Sequence, residues 1–230
     1  MALVAIVRGV PGSFDRALAT VAPSPPIDVA RARAQHAAYL AGLRQAGAEV
    51  VEIPADDDYP DCCFVEDTAV VAGGVALLTR LGAPSRRGES PGVRPFLETW
   101  LPVEDMVAPA TLEGGDCLLF GDRLYIGRSD RTNAAGIQRA REIFTRVGIE
   151  VIEVPVRGAL HLKSVCSPLG DRAVLIAPGQ LPAKIFPPGV AIEVPESEAA
   201  GANLVVVGSS ALVAAGCPAV ARLVAGAGLM

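Results

Sequence analysis

Histidine is nearly missing: there are two in 230 residues, too few for a histidine-rich metal centre. Aromatic residues are also scarce at 4%, with six Phe, three Tyr and one Trp. A core built without them has to be aliphatic and closely packed. No excess of basic charge exists, since 20 Lys and Arg face 25 Asp and Glu. The net charge of −5 gives nucleic acid no basic face to bind. The opening residues Met-Ala-Leu-Val-Ala-Ile-Val-Arg lack the basic leader and long apolar core of a secretory signal. Five cysteines without such a signal point to thiols in a reducing cytoplasm rather than to disulfides. The chain holds no Gly-Lys-Ser/Thr after its Gly-Gly pairs at 73 and 114, so these read as turns and not as phosphate loops.

What is abundant is aliphatic: 51% of residues are hydrophobic and the mean hydropathy is +0.40. That excludes a disordered chain. The uncharged run from Leu204 to Ala221 is broken by Gly208-Ser209-Ser210 and by Gly216-Cys217-Pro218. It reads as a buried hairpin and not as a membrane span.

The apolar segments repeat. Strand, tight turn and strand recur in Thr68–Arg80, Asp116–Arg128, Ser164–Pro178 and Asn203–Gly216, with starts 48, 48 and 39 residues apart. Gly73-Gly74, Gly121-Asp122 and Gly170-Asp171 supply the turns. A helix candidate follows each hairpin, most clearly Thr132–Val147, with Ile137, Ala140, Ile143, Phe144 and Val147 on one face. Strands ending in proline close several units: Glu49–Pro54, Glu150–Pro155 and Ala191–Pro195. Five ββαβ units arranged as a ring in one domain over residues 1–230 are the expected architecture. The first unit shows one strand, Leu3–Arg8, before its helix Ile27–Gln45, and the last stops after a helix starting near Pro218. About 20–25 further residues would complete the ring.

Polar residues gather where the units meet. Asp61, Glu66 and Asp67 lie in PDCCFVED, Arg86 and Arg87 in SRRGE, Glu113 in LEGGD, Arg131 in DRTN and His161 in LHLK. A ring brings these strand ends to one axis. Carboxylates there suit a guanidinium, and arginines suit a carboxylate. The set describes an arginine-like molecule held at both ends. His161 beside Glu113 has the right chemistry for general acid and base work. Cys62 and Cys63 neighbour the carboxylates, which raise a thiol pKa, so both are expected to be packed structural thiols, as are Cys117, Cys166 and Cys217. They lack the two further ligands a metal site needs. His36, inside a predicted helix, is expected to be structural.

FVEDTAVV, LLTRLGAPSRRGE, LEGGDCLLFGDRLYIGRSDRTNAAG and ALHLKSV resemble the dimethylarginine dimethylaminohydrolase family, within the pentein or amidinotransferase-like superfamily. The resemblance implies a five-bladed α/β propeller, in agreement with the repeats. It implies metal-free and cofactor-free hydrolysis of methylated arginine to citrulline and a methylamine through a cysteine thiouronium. By motif it makes His161 the proton donor and base and Glu113 its carboxylate partner. Glu66 and Asp67 would hold the guanidinium, Asp61 the α-amino end, and Arg86 with Arg131 the substrate carboxylate. Leu18 falls where the family has a mobile lid. The implied partner is a small molecule, with no nucleic acid and no membrane, and a homodimer is the assembly this reading admits. The family's Gly-rich Thr/Ser-Cys-x-Ser motif near the C-terminus has no counterpart here, so the nucleophile is expected beyond Met230. Two readings stand beside this one: another guanidine-modifying pentein, such as an arginine deiminase or an amidinotransferase, and a non-catalytic propeller that binds arginine-like ligands.

Overall fold

Short aliphatic runs alternate with glycine turns through most of the chain, and each run becomes a strand of a very small sheet. The computed structural model describes residues 3–230. Strand β1 (Leu3–Arg8) runs parallel to β2 (Ala48–Ile53), joined by helix α1 (Val29–Gln45). Asp28 caps α1 by accepting the Arg31 N–H at 3.0 Å. Gly47, at φ +91, ends the helix where a side chain would be strained.

Three three-stranded blades follow. The first is β3 (Ala69–Ala72), β4 (Val75–Leu78), α2 (Arg94–Glu98) and β5 (Val103–Asp105). The second is β6 (Cys117–Phe120), β7 (Arg123–Arg128), α3 (Ala134–Phe144) and β8 (Glu150–Pro155). The third is β9 (Cys166–Leu169), β10 (Ala173–Ile176) and β11 (Ala191–Glu193). In each, a hairpin is extended by a parallel strand on its second member, as in Leu124↔Val151. A last hairpin, β12 (Val205–Val207) and β13 (Ser210–Leu212), precedes α4 (Pro218–Gly226). Five small sheets thus make up the five-bladed α/β propeller the repeats imply.

Three details differ from the sequence expectation. The β9–β10 turn holds three residues, since Leu169 pairs with Ala173, so Gly170-Asp171 is not a two-residue loop. No α-helix joins β10 to β11; a 3-10 turn at Ala183–Ile185 stands there instead. Pro178, Pro182, Pro187 and Pro188 crowd that stretch, and proline removes the N–H a helix needs. Helix α3 starts at Ala134, capped by Asn133, and leaves Thr132 outside it.

The blades share walls. Along β7, Leu124 and Ile126 face one way, toward Val70 and Leu77 of the preceding blade and Ile137, Ile143 and Phe144 of α3. Tyr125 faces the other way, toward Val174, Leu175 and Phe186. That period of two lets one strand serve two cores. Fully burying such a side chain contributes about 1.5–3 kcal/mol. The Leu204–Ala221 run becomes β12, β13 and the start of α4. Among the described residues no helix is long and apolar enough to cross a membrane.

Candidate active site

A short 3-10 turn leads into the first strand of each later blade: Val65–Thr68, Gly114–Asp116, Leu162–Ser164 and Glu196–Ala202. The first three of these turns, with the residues just before them, place polar side chains around one cavity of about 640 Å³, which the last blade borders through Asn203 and Val205. Leu18, Asp61, Glu66, Asp67, Arg86, Glu113, Arg131 and His161 all line it. Arg87, expected at the same axis, does not line it: it is exposed and donates to the Leu81 and Gly82 carbonyls instead.

At its floor, His161 Nε2 lies 2.7 Å from Glu113 Oε2. The two are 48 residues apart, one repeat length, and occupy the same place in successive blades. Glu113 is fully buried and His161 nearly so. Burial alone would lower the His161 pKa. The Glu113 hydrogen bond, together with Asp67 and Asp116 nearby, outweighs it and raises the imidazole above its usual 6.5. Burial likewise opposes ionisation of Glu113, but His161, Arg86 and Arg131 hold it below its usual 4.5. Each partner thus favours the charged form of the other, and both are charged between pH 4.5 and 6.5.

Around it, the carboxylates differ in their company. Asp67 Oδ2 is 2.8 Å from Arg86 Nη1, and its Oδ1 accepts the Gly115 N–H at 2.9 Å. Arg86 also donates twice to the buried Glu89, at 3.0 and 2.9 Å. Glu66, largely exposed, takes Lys163 Nζ at 2.6 Å. Arg131 reaches Glu113 only at 3.9 Å and keeps part of its guanidinium at the cavity. Asp61 is buried, and among the described residues it has no cationic partner at ion-pair distance. Among the described residues its carboxylate oxygens accept only the Leu18 N–H, at 3.1 and 3.3 Å. Phe14 packs on Phe64 at 5.9 Å and so holds the exposed Leu18 segment at the rim.

Glycines 114 and 115 do lie in a turn, the 3-10 turn Gly114–Asp116, but a left-handed conformation is not what requires them. Neither has a positive φ; they are small because the blades touch there. A Cβ on Gly114 would run into the Glu66 carbonyl, and one on Gly115 would sit 2.8 Å from Asp67 Oδ1 and 2.9 Å from His161 Cγ. Gly115→Ala is expected to cost about 1–3 kcal/mol by overpacking. Thermal unfolding measures the loss, and a parental Tm would show that the 113–116 turn can give way.

Several contributors escaped the sequence reading. His36, expected to be structural, lines the cavity from α1 together with Tyr39. Lys163 and Glu89 partner site residues, and Asp116, Ser129 and Thr132 form a hydrogen-bonded lattice behind them. For Asp116 the signal was the 48-residue repeat, which sets it in the position of Thr68 and Ser164. Cys63 lines the cavity, but burial and the adjoining Cys62 push its thiol up to about 12. Cys62 is fully buried, with Asp56 N–H and Asp56 O near its sulfur. Asp67, Glu113 and His161 present donor atoms within 4.8 Å of one another. A cation there would have to compete with Arg86, 2.8 Å from Asp67 and 3.9 Å from Glu113.

The sequence profile of a family described as "N,N dimethylarginine dimethylhydrolase, eukaryotic" matches residues 18–191. The N(G),N(G)-dimethylarginine dimethylaminohydrolase of Streptomyces coelicolor is 40% identical over 226 residues, 97% of this chain and 86% of that protein. The enzyme of that name from Pseudomonas aeruginosa is 36% identical over 194 residues, 83% of this chain and 76% of that protein. A solved structure of the Pseudomonas aeruginosa protein, a cysteine-to-serine mutant complexed with citrulline, superposes with a TM-score of 0.91 at 32% identity. It covers 100% of this chain and 90% of the other.

Proposed function

Because the chain belongs to the dimethylarginine dimethylaminohydrolase family, we propose that its cavity binds a methylated arginine at both ends and presents the guanidinium to His161. The reaction is hydrolysis of Nω-methylated arginine to citrulline and a methylamine. The observation that carries the assignment is the buried His161–Glu113 pair opening onto a cavity walled by carboxylates. A charged imidazole is a proton donor, and ionised carboxylates beside it hold a cation in reach.

The residues divide the work. Asp61, buried and without a cation of its own, takes the substrate's α-ammonium. Asp67 and Glu66 take the guanidinium, which has to displace or share Lys163 at Glu66. Arg86 spends its donors on Glu89 and Asp67. Arg131 therefore carries most of the substrate carboxylate, and Arg86 chiefly holds Asp67. Leu18 supplies the rim.

Chemically, a thiolate adds to the guanidinium carbon and the methylamine leaves with a proton from His161. Water, losing a proton to His161, then adds to the thiouronium carbon, and expulsion of the thiolate yields citrulline. None of the five cysteines suits that thiolate. Burial raises the pKa of Cys62, takes Cys63 and Cys166 to about 12 and raises Cys117, while Cys217 is buried outside the cavity. The step calls for a thiolate other than these. All five are free thiols, which supports a reducing compartment, the cytoplasm.

Calorimetry on the 230-residue protein tests the reading. Dimethylarginine is expected to bind, and its N-acetyl derivative, which lacks the α-ammonium, to bind at least about tenfold more weakly. Citrulline release is expected to be absent. Equal affinity for the two would free Asp61 of its role. Citrulline production abolished by Cys63→Ala would make Cys63 the nucleophile. Preference for unmethylated arginine would favour a deiminase.

A further inference from the structure

Asp116 ends the LEGGD motif but stands outside the cavity wall, fully buried. Among the described residues it has no cation at ion-pair distance. Three hydrogen bonds replace the water it has lost. Oδ1 accepts the Leu162 N–H at 2.9 Å. Oδ2 accepts the Ser129 hydroxyl at 2.6 Å and the Thr132 hydroxyl at 2.7 Å.

Each of these contacts leads to a residue of the site. Leu162 follows His161 directly, so its N–H anchors the imidazole's backbone. The Thr132 hydroxyl accepts the Glu113 N–H at 3.2 Å. The Ser129 hydroxyl accepts the N–H of Arg131 at 3.0 Å and of Thr132 at 3.2 Å, and so shapes the turn that carries Arg131. Glu113 and His161 come from different blades, and the Asp116 carboxylate is a hydrogen-bonded bridge between them.

The lattice also dictates the kind of side chain. Both hydroxyls use their oxygens to accept backbone N–H groups, so each has only its own O–H to give, and each gives it to Asp116. Position 116 must therefore accept at both ends. An ionised carboxylate does so; an amide cannot, because one of its ends donates. With Asn, an NH₂ would face either two hydroxyl protons or the Leu162 N–H.

We propose that Asp116 is a positioning residue for the reaction, setting the spacing of Glu113 and His161 and the orientation of Arg131. The last element rests on the reading that Arg131 meets the ligand's carboxylate. Asp116 also adds negative charge near His161, with Glu113 in contact and Asp67 beside it.

The test uses the 230-residue protein. It has two histidines, so an NMR titration shows two imidazoles, and His36→Gln identifies His161. In Asp116→Asn the His161 midpoint is expected to fall. Dimethylarginine affinity should drop about tenfold or more, while a dimethylated agmatine, lacking the carboxylate, should lose less. Thr132→Val cuts only the Thr132 links and should move the His161 midpoint the same way, with a smaller loss of Tm. Folded variants with the parental midpoint and affinities would overturn the proposal. So would failure of both variants to fold, because a carboxylate needed only for folding positions nothing. A parent that binds neither ligand, with a His161 midpoint that still falls in Asp116→Asn, would overturn the substrate reading and the Arg131 element while leaving the Glu113–His161 role supported.

Discussion

Asp67→Asn is expected to weaken the fold and the hold on a guanidinium together. From the sequence alone, a pocket carboxylate contributes little to packing and the substitution should spare the fold. The structure corrects this. Asp67 is buried, its Oδ2 lies 2.8 Å from Arg86 and its Oδ1 accepts the Gly115 N–H. Removing one partner of a buried ion pair costs roughly 3–5 kcal/mol. Glu89 still binds Arg86 through two hydrogen bonds, which places the loss near the lower end. For a chain of this size the Tm should fall by roughly 6–12 °C. Affinity for dimethylarginine among folded molecules should fall on the order of 10²–10³, since a neutral amide cannot make the charge-assisted pair. Thermal unfolding and calorimetry on the same sample decide the matter. A lower Tm with parental affinity would confine Asp67 to holding Arg86. Lost affinity with a parental Tm would mean that the ligand, and not Arg86, is its true partner.

Glu113→Gln should have the larger effect on chemistry. His161 is raised above 6.5 and Glu113 lowered below 4.5, so in the folded protein the pair is charged between these limits. The stability contributed through His161 is fully present below pH 6.5 and is lost as pH rises through its raised midpoint. That contributed through Glu113 is present above pH 4.5 and is lost as pH falls through its lowered midpoint. Glutamine removes both contributions and leaves burial to oppose the imidazolium. The His161 midpoint should fall from its parental position, and the pH dependence of stability around it should flatten. With less of the imidazole protonated, proton delivery to the leaving amine is impaired, at a cost of up to about 10²–10⁴ in rate. NMR titration of His161 in the variant checks the first claim, and single-turnover release of methylamine, wherever the thiolate is supplied, checks the second. An unmoved midpoint would show that Asp67 and Asp116, not Glu113, hold the proton on His161.

Much of this molecule was legible in one dimension. The strands of the blades were visible because a strand buried on both faces is a short aliphatic run, bounded by glycines where a hairpin needs a positive φ. Gly73 and Gly74, at φ +57 and +77, are such a case. The repeat length placed Glu113 and His161 at equivalent positions, and a ring of repeats has one axis on which such positions meet. Carboxylates, arginines and a histidine at strand ends pointed to a guanidino acid, whereas the role of each residue, and Leu18 altogether, rested on the resemblance to the family.

What the sequence could not contain was the pairing. The same residues allow Arg86 to face a substrate or to be consumed by Asp67 and Glu89, and only three-dimensional distances choose the second. Gly114 and Gly115 lie in the turn the sequence expects, but that the blades touch there, with Glu66 and His161 in the way of any Cβ, is visible only in three dimensions. Asp116 was one acidic residue among many until burial stripped it of water and left three donors around it. The physical reason is common to all three. Periodicity and turn chemistry are local and determine which elements form and in what order. Desolvation and hydrogen-bond partnership depend on groups dozens of residues away, so which charges cancel and which remain for a ligand is settled only when the blades close on one another.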